Sequence, residues 1–128
     1  MAVLPPSPAF AAFWTERHLC TVTTLRPDGS PHVVPMGVVL DPDAGLGWAI
    51  TSATSQKSRN LAAGGPVAVC QVDGRHWSTV EGHATVRSDA DAVEEAVRRY
   101  AERYRTPRPN PSRVALRIEV SRVLGNVR

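Results

Sequence analysis

Three short segments built from turn formers punctuate this chain: Arg26-Pro27-Asp28-Gly29-Ser30, Asp41-Pro42-Asp43-Ala44-Gly45 and Asp73-Gly74-Arg75-His76. Each separates two stretches of apolar and β-branched residues, and turns this short join only antiparallel strands. The stretches themselves are His18 to Leu25, Pro31 to Leu40, Leu46 to Ser52, Val67 to Val72, Trp77 to Arg87 and Val114 to Leu124. Helical signals fall between them. Ser7 before Pro8 is a capping pair, and Phe10, Phe13 and Trp14 follow at helical spacing, which predicts a helix over 8–17. A short polar helix over 55–63 is stopped by Gly64-Gly65-Pro66. Asp89 caps a longer helix whose buried face is expected to hold Val93, Ala96, Val97, Tyr100, Ala101 and Tyr104, opposite Glu94, Glu95, Arg98, Arg99 and Glu102. Three prolines keep Thr106 to Pro111 extended and irregular. Six strands in hairpin succession with three short helices predict an α+β fold, a small six-stranded antiparallel barrel that closes to remove its edges.

The 128 residues match one domain, 1–128, large enough for a core that needs no staples. The longest apolar runs, such as Val33 to Leu40, fall far short of a membrane span. The opening MAVLPPSPAF has no basic segment ahead of an apolar stretch, so no signal peptide is expected and the reading is a soluble, cytoplasmic protein. Cys20 and Cys70 alone make neither a disulfide framework nor a zinc site. Charge is unevenly spread: residues 1–97 carry a net −4, whereas 98–128 carry nine arginines against Glu102 and Glu119, a net +7. Such a region suits nucleic acid, a membrane surface or an acidic small molecule. The first is disfavoured because the arginines interleave with buried positions and no stacking aromatics accompany the proline segment.

No G-x-G-x-x-G, Walker A, H-E-x-x-H or G-x-S-x-G motif is present, and no carboxylates pair for acid–base work. His18, His32, His76 and His83 lack metal-ligand spacing, so no metal and no catalytic side chain is expected. An enzyme of this composition relies on a cofactor. Ser55-Gln56-Lys57-Ser58-Arg59 offers hydroxyls, cations and helix-start amides to a phosphate, or else is a solvated helix start. Trp77 is either core or a ring that stacks on a flat ligand. Arg105, Arg108 and Arg113 either grip carboxylates or keep an irregular loop in solution.

Ser30-Pro31-His32-Val33-Val34-Pro35, Ser55-Gln56-Lys57 and Cys70-Gln71-Val72-Asp73-Gly74 with Trp77, Glu81 and Gly82 resemble the split-β-barrel flavin and deazaflavin oxidoreductases, the superfamily that includes pyridoxamine-phosphate oxidase. Arg103-Tyr104-Arg105-Thr106-Pro107-Arg108-Pro109-Asn110-Pro111 and Arg122-Val123-Leu124-Gly125 are similar to the biliverdin-reducing group of its coenzyme-F420-dependent branch. The likeness runs over essentially the whole chain. It implies a homodimer of six-stranded split barrels with cofactor sites where the subunits meet, and a hydride passed from F420H2 to the central methine carbon of biliverdin. The strand of His32, Val33, Val34 and Pro35 would follow the deazaflavin ring. Ile50 and Thr51 would contact the ring and ribityl chain, and Ser55, Gln56, Lys57 and Ser58 the phosphate. Trp77 would come from the opposite subunit, and Arg105, Arg108 or Arg113 would hold the tetrapyrrole propionates. Gln56 stands where flavin-using relatives usually carry an arginine, which fits F420 better than FMN. An FMN-dependent oxidase or reductase of the same fold, or a non-catalytic carrier of F420, flavin or tetrapyrrole, is the alternative.

Overall fold

The turns form where their residues place them: Gly29 and Gly74 take positive φ, 85° and 62°, a conformation costly for any residue with a side chain. The computed structural model describes residues 4–128. In chain order it contains α1 (Pro8–Thr15), β1 (Cys20–Leu25), β2 (Pro31–Met36), β3 (Val39–Asp41), β4 (Leu46–Ser52), α2 (Gln56–Asn60), β5 (Gly65–Asp73), β6 (His76–Arg87), α3 (Ala90–Arg103) and β7 (Arg113–Gly125). Ser7 and Asp89 cap their helices as expected, accepting from the Phe10 and Ala92 amides, and Ser55 caps α2 by accepting from Ser58.

The strands form one antiparallel α+β sheet in the order β2-β1-β5-β6-β7-β4-β3. Two expectations need correction. There are seven strands rather than six, because the run from Pro31 to Leu40 breaks at Gly37 and Val38. The sheet is also open rather than closed, since β2 and β3 are its two edges and do not pair with each other. The break has a steric cause. A Cβ on Gly37 would lie 2.7 Å from the Tyr104 ring and 3.0 Å from Tyr100, so the chain passes beneath two aromatic rings where only glycine fits. Two linking residues span at most about 11 Å between Met36 and Val39. The opposite edges are therefore drawn together at this corner and the sheet is curled.

Inside the curl, Val22, Val38, Val69, Val80, Leu116 and Ile118 form the core with Phe10, Phe13 and Trp14 of α1. Outside it, α3 lies over β4 and β7, packing Ala92 and Ala96 on Trp48, Ile50 and Ala115. The buried face of α3 is thus rotated from the predicted one. Ala92, Ala96 and Arg103 are buried, while Val93, Val97, Tyr100 and Ala101 are only half-buried. Small residues face the sheet because the helix approaches it closely.

Arg103 is a buried cation, 7% exposed, and makes no salt bridge among the described residues. Its guanidinium donates to the carbonyl of Glu16 (2.9 Å), the carbonyl of Val38 and Oε1 of Gln71. It also lies 5.6 Å from the Trp14 ring centre and 5.1 Å from that of Tyr104. The Tyr104 hydroxyl donates to the His18 carbonyl (2.7 Å) and accepts from the Val38 amide (3.3 Å). Burial pushes that phenol up to about 12. Together these two side chains fasten the end of α3 to the β2–β3 corner and to the chain after α1.

No described helix is long and apolar enough to cross a membrane, and Cys20 and Cys70 are both free. The cationic C-terminal region is largely engaged within the chain: Arg98 and Arg99 pair with Glu95, Glu102 and Asp41, Arg117 with Glu119, and Arg122 with Glu81.

The register of β6 on β7 slips at Glu81 and Gly82, and a Cβ on Gly82 would collide with the Glu119 carbonyl across the strand. We expect Gly82→Ala to lower the unfolding free energy by about 2 kcal/mol or more, measured by chemical denaturation.

Candidate functional site

At the end of β4 a chain of hydroxyls shapes the loop that leads into α2. Thr51 Oγ1 donates to Ser55 Oγ (3.2 Å), Ser55 Oγ to Ser58 Oγ (3.0 Å), and Ser58 Oγ to the carbonyl of Ser52 (2.8 Å). The Ser58 amide donates back to Ser55 Oγ (3.2 Å). Ser58 is buried, so its hydroxyl sets the shape of the loop rather than facing an incoming ligand. The proline-rich segment braces this loop from outside. Asn110 Nδ2 donates to Ser52 Oγ (2.9 Å), and the Ala53 amide donates to the Ser112 carbonyl (2.8 Å). Asn110 is a site residue that the sequence reading missed. Its only signal was a side chain with donor and acceptor set between two prolines.

From the other edge of the sheet, α2 is held onto β1: Asn60 Nδ2 donates to Thr24 Oγ1 (2.9 Å), and Thr24 sits opposite His32 on β2. The five-residue helix α2 thereby bridges the β1–β2 and β4–β7 sides. Gln56 is committed within it, donating to Asn60 (2.7 Å) and accepting from Arg59 (2.8 Å). Arg59 also donates to the Thr54 carbonyl, which folds it onto its own loop. Lys57 is different. It is half-buried, has no carboxylate partner among the described residues, and burial pushes its ammonium pKa down. A cation left in this condition favours an anion that completes it.

His32 adds to the same spot. On β2, His32, Val34 and Met36 face inward, while Val33 and Pro35 face out. The Nδ1 atom of His32 is buried without a hydrogen-bond partner. Burial, then the cations of Arg26 and Lys57, push the imidazole below its ordinary value. The outer edge of β2 carries no further strand, so part of its backbone is open to a ligand.

Not every expected residue converges here. Thr51 faces the α2 loop, but the Ile50 side chain points the other way, under α3. Trp77 is the second residue of β6, whereas α2 ends beside Gly65, the partner of Ala84. Seven residues of strand put roughly 23 Å between Trp77 and that end of the site in one chain. Trp77 is 40% exposed and lies with Val33, Val72 and Leu124 on the outer face of the sheet. The three arginines also separate. Arg113 is the register partner of Ser52, next to the α2 loop, and donates to the Arg108 carbonyl. Arg105 instead lines a cavity at the β2–β3 corner.

Residues 6–126 match the family model described as pyridoxamine 5'-phosphate oxidase. The chain belongs to that family. It is 51% identical over 115 residues to the F420H2-dependent biliverdin reductase of Mycobacterium tuberculosis, covering 90% of this chain and 84% of that one. Among solved structures, a conserved hypothetical protein from Mycobacterium tuberculosis superposes with a TM-score of 0.79 at 27% identity, covering 99% of this chain and 88% of that one. An F420 reductase superposes with a TM-score of 0.74 at 21% identity, over 94% of this chain and 98% of that one, a likeness of fold.

His32 gives a pH prediction. Its folded pKa lies below the unfolded value, so the unfolded chain binds the proton more tightly and stability rises with pH through the window just below 6.5. Acidification through that window therefore costs stability. We expect His32→Gln to flatten this part of the curve of unfolding free energy against pH; an unchanged slope would remove His32 as its source.

Proposed function

We propose that this protein is an F420H2-dependent reductase that converts biliverdin to bilirubin within the fold of the pyridoxamine 5'-phosphate oxidase family. The observation that carries the reading is Lys57, a half-buried cation without a carboxylate partner among the described residues, in a loop braced from both sides, in a chain 51% identical to a reductase of that name. The buried, unpartnered Nδ1 of His32 beside it fits an anionic group as well.

When bound, the deazaflavin supplies a hydride. The chain's own part is to hold, orient and dry the reactants. Lys57, with the loop shaped by Ser55, Gln56 and Ser58, receives the phosphate. The free edge of β2 from His32 through Val33 and Val34 to Pro35 lies along the ring and reads its polar rim with backbone groups. The end of β4, Ile50 and Thr51, borders the ribityl region through its backbone and the Thr51 hydroxyl. Arg105, Arg108 and Arg113 supply cations for carboxylates. No side chain is assigned as proton donor, and the proton for a pyrrole nitrogen comes from solvent or an arginine-held water.

The working unit in this reading is a cytoplasmic homodimer of 1–128 domains, with each curled sheet serving as one split barrel. Val72, Trp77 and Leu124 are exposed apolar residues on neighbouring strands of one outer face, of the kind a second copy covers. Coverage by that copy also brings a Trp77 to a site that its own chain cannot reach.

The test is direct. Protein incubated with F420 and FMN together should retain F420 and sediment as a dimer, and F420H2 with biliverdin should lose biliverdin absorbance. Turnover restored by FMN alone supports an FMN-dependent oxidase or reductase instead, and binding without turnover supports a carrier. Lys57→Ala should weaken F420 binding roughly tenfold or more while circular dichroism stays unchanged, because a charge-assisted contact of about 1.5–3 kcal/mol is lost. Wild-type affinity in that variant, measured by titration calorimetry, removes the phosphate assignment.

A further inference from the structure

We propose that the cavity at the β2–β3 corner seats the propionate-bearing edge of the substrate, with Arg17 and Arg105 as its carboxylate ligands. This rests on the reductase reading above. The cavity measures about 430 Å³ and is walled by Arg17, His18, Leu19, Tyr100, Tyr104 and Arg105. Its chemistry is that of a flat acid. The rings of Tyr100 and Tyr104 lie 5.0 Å apart at 32° and form an aromatic wall. That wall is fixed in place, because the Tyr104 hydroxyl is tied to His18 and Val38 and the Arg103 guanidinium lies against its ring.

The two arginines stand out from their neighbours. Arg98 and Arg99 are paired with carboxylates and Arg103 is buried among carbonyls, whereas Arg17 and Arg105 are exposed and make no ion pair among the described residues. The carboxylates of Glu16 and Asp73 face His18 Nε2, on the cavity wall, at 3.6 and 3.9 Å. Two guanidinium groups without an ion pair beside a pair of tyrosine rings match a pyrrole ring carrying a propionate arm.

Position separates this ligand from the cofactor's own acidic tail. A phosphate at Lys57 lies at the His32 end of β2, and the glutamate tail leaves the phosphate on the side away from the ring. The cavity lies past the other end of β2, beside Gly37, roughly 17 Å further along at the usual rise of a strand. The ring side of the site therefore leads to Arg17 and Arg105. The tail side leads to Arg113, the partner of Ser52. What looked like one cluster of arginines in the sequence is two, each with its own carboxylates.

The experiment compares binding of biliverdin and of its uncharged dimethyl ester to the full-length protein, by quenching of tryptophan fluorescence, in wild type, R17Q, R105Q and the double variant. Both residues are exposed, so the variants keep the fold. Wild type should prefer the diacid, each single variant should lose about tenfold of that preference, and the double variant should bind both compounds alike, with F420 affinity unchanged throughout. A double variant that still prefers the diacid, or a wild type with no preference, overturns the assignment. If the preference disappears as expected while F420H2 reduces no biliverdin, the cavity stands and the reductase reading falls. Turnover with the preference intact in the double variant has the opposite meaning.

Discussion

Two residues, Gly37 and Val38, connect the opposite edges of a seven-stranded sheet, and the rest of the molecule is arranged to make that connection possible. A sheet whose first and last strands are joined by so short a link must curl, and the curl creates both the enclosed core and the convergence of β2 with β4. The link survives because Tyr104 and Arg103 hold it: the Val38 amide and carbonyl are both engaged by these two side chains. At such a convergence a helix as short as α2 rests on both β1 and the end of β4.

The candidate site is accordingly a product of long-range architecture rather than of one motif. The Ser55-Gln56-Lys57-Ser58 segment supplies the residues, but its shape is set by the Ser52 carbonyl, by Asn110 and by Thr24, which belong to three other parts of the chain. Burial of Lys57 and of His32 Nδ1 opposes the stability of the free protein, and an anionic ligand relieves it. The outer sheet face leaves Val33 and Trp77 exposed, at 55% and 40%.

Much of this was readable from sequence, and the limits have physical reasons. Local signals were reliable: the glycine turns and the caps at Ser7 and Asp89 follow from short-range sterics and hydrogen bonding. The break at Gly37 was not readable, because Pro31 to Leu40 is apolar throughout and the rings that force the break come from α3. The face of α3 was misjudged for a related reason. Hydropathy counts an arginine as exposed, yet Arg103 is satisfied by carbonyls and aromatic faces that only the folded chain assembles. The candidate residues of the α2 loop follow from their own inventory of hydroxyls and cations and those of β2 from family resemblance, while the contacts of Asn110 and Thr24 and the place of Arg17 emerged only with the tertiary structure.

The Arg103 fastening has one further consequence. Every oxygen that receives its protons belongs to a peptide group or an amide side chain, none of which titrates in water at accessible pH. An arginine–carboxylate lock loosens when acid neutralises the carboxylate; this one has no such partner. Buried among neutral dipoles, it is also shielded from mobile ions. The corner that shapes the sheet is therefore indifferent to acidity and to ionic strength, and the chemistry at the mouth of the site can respond to both without disturbing the frame that holds it.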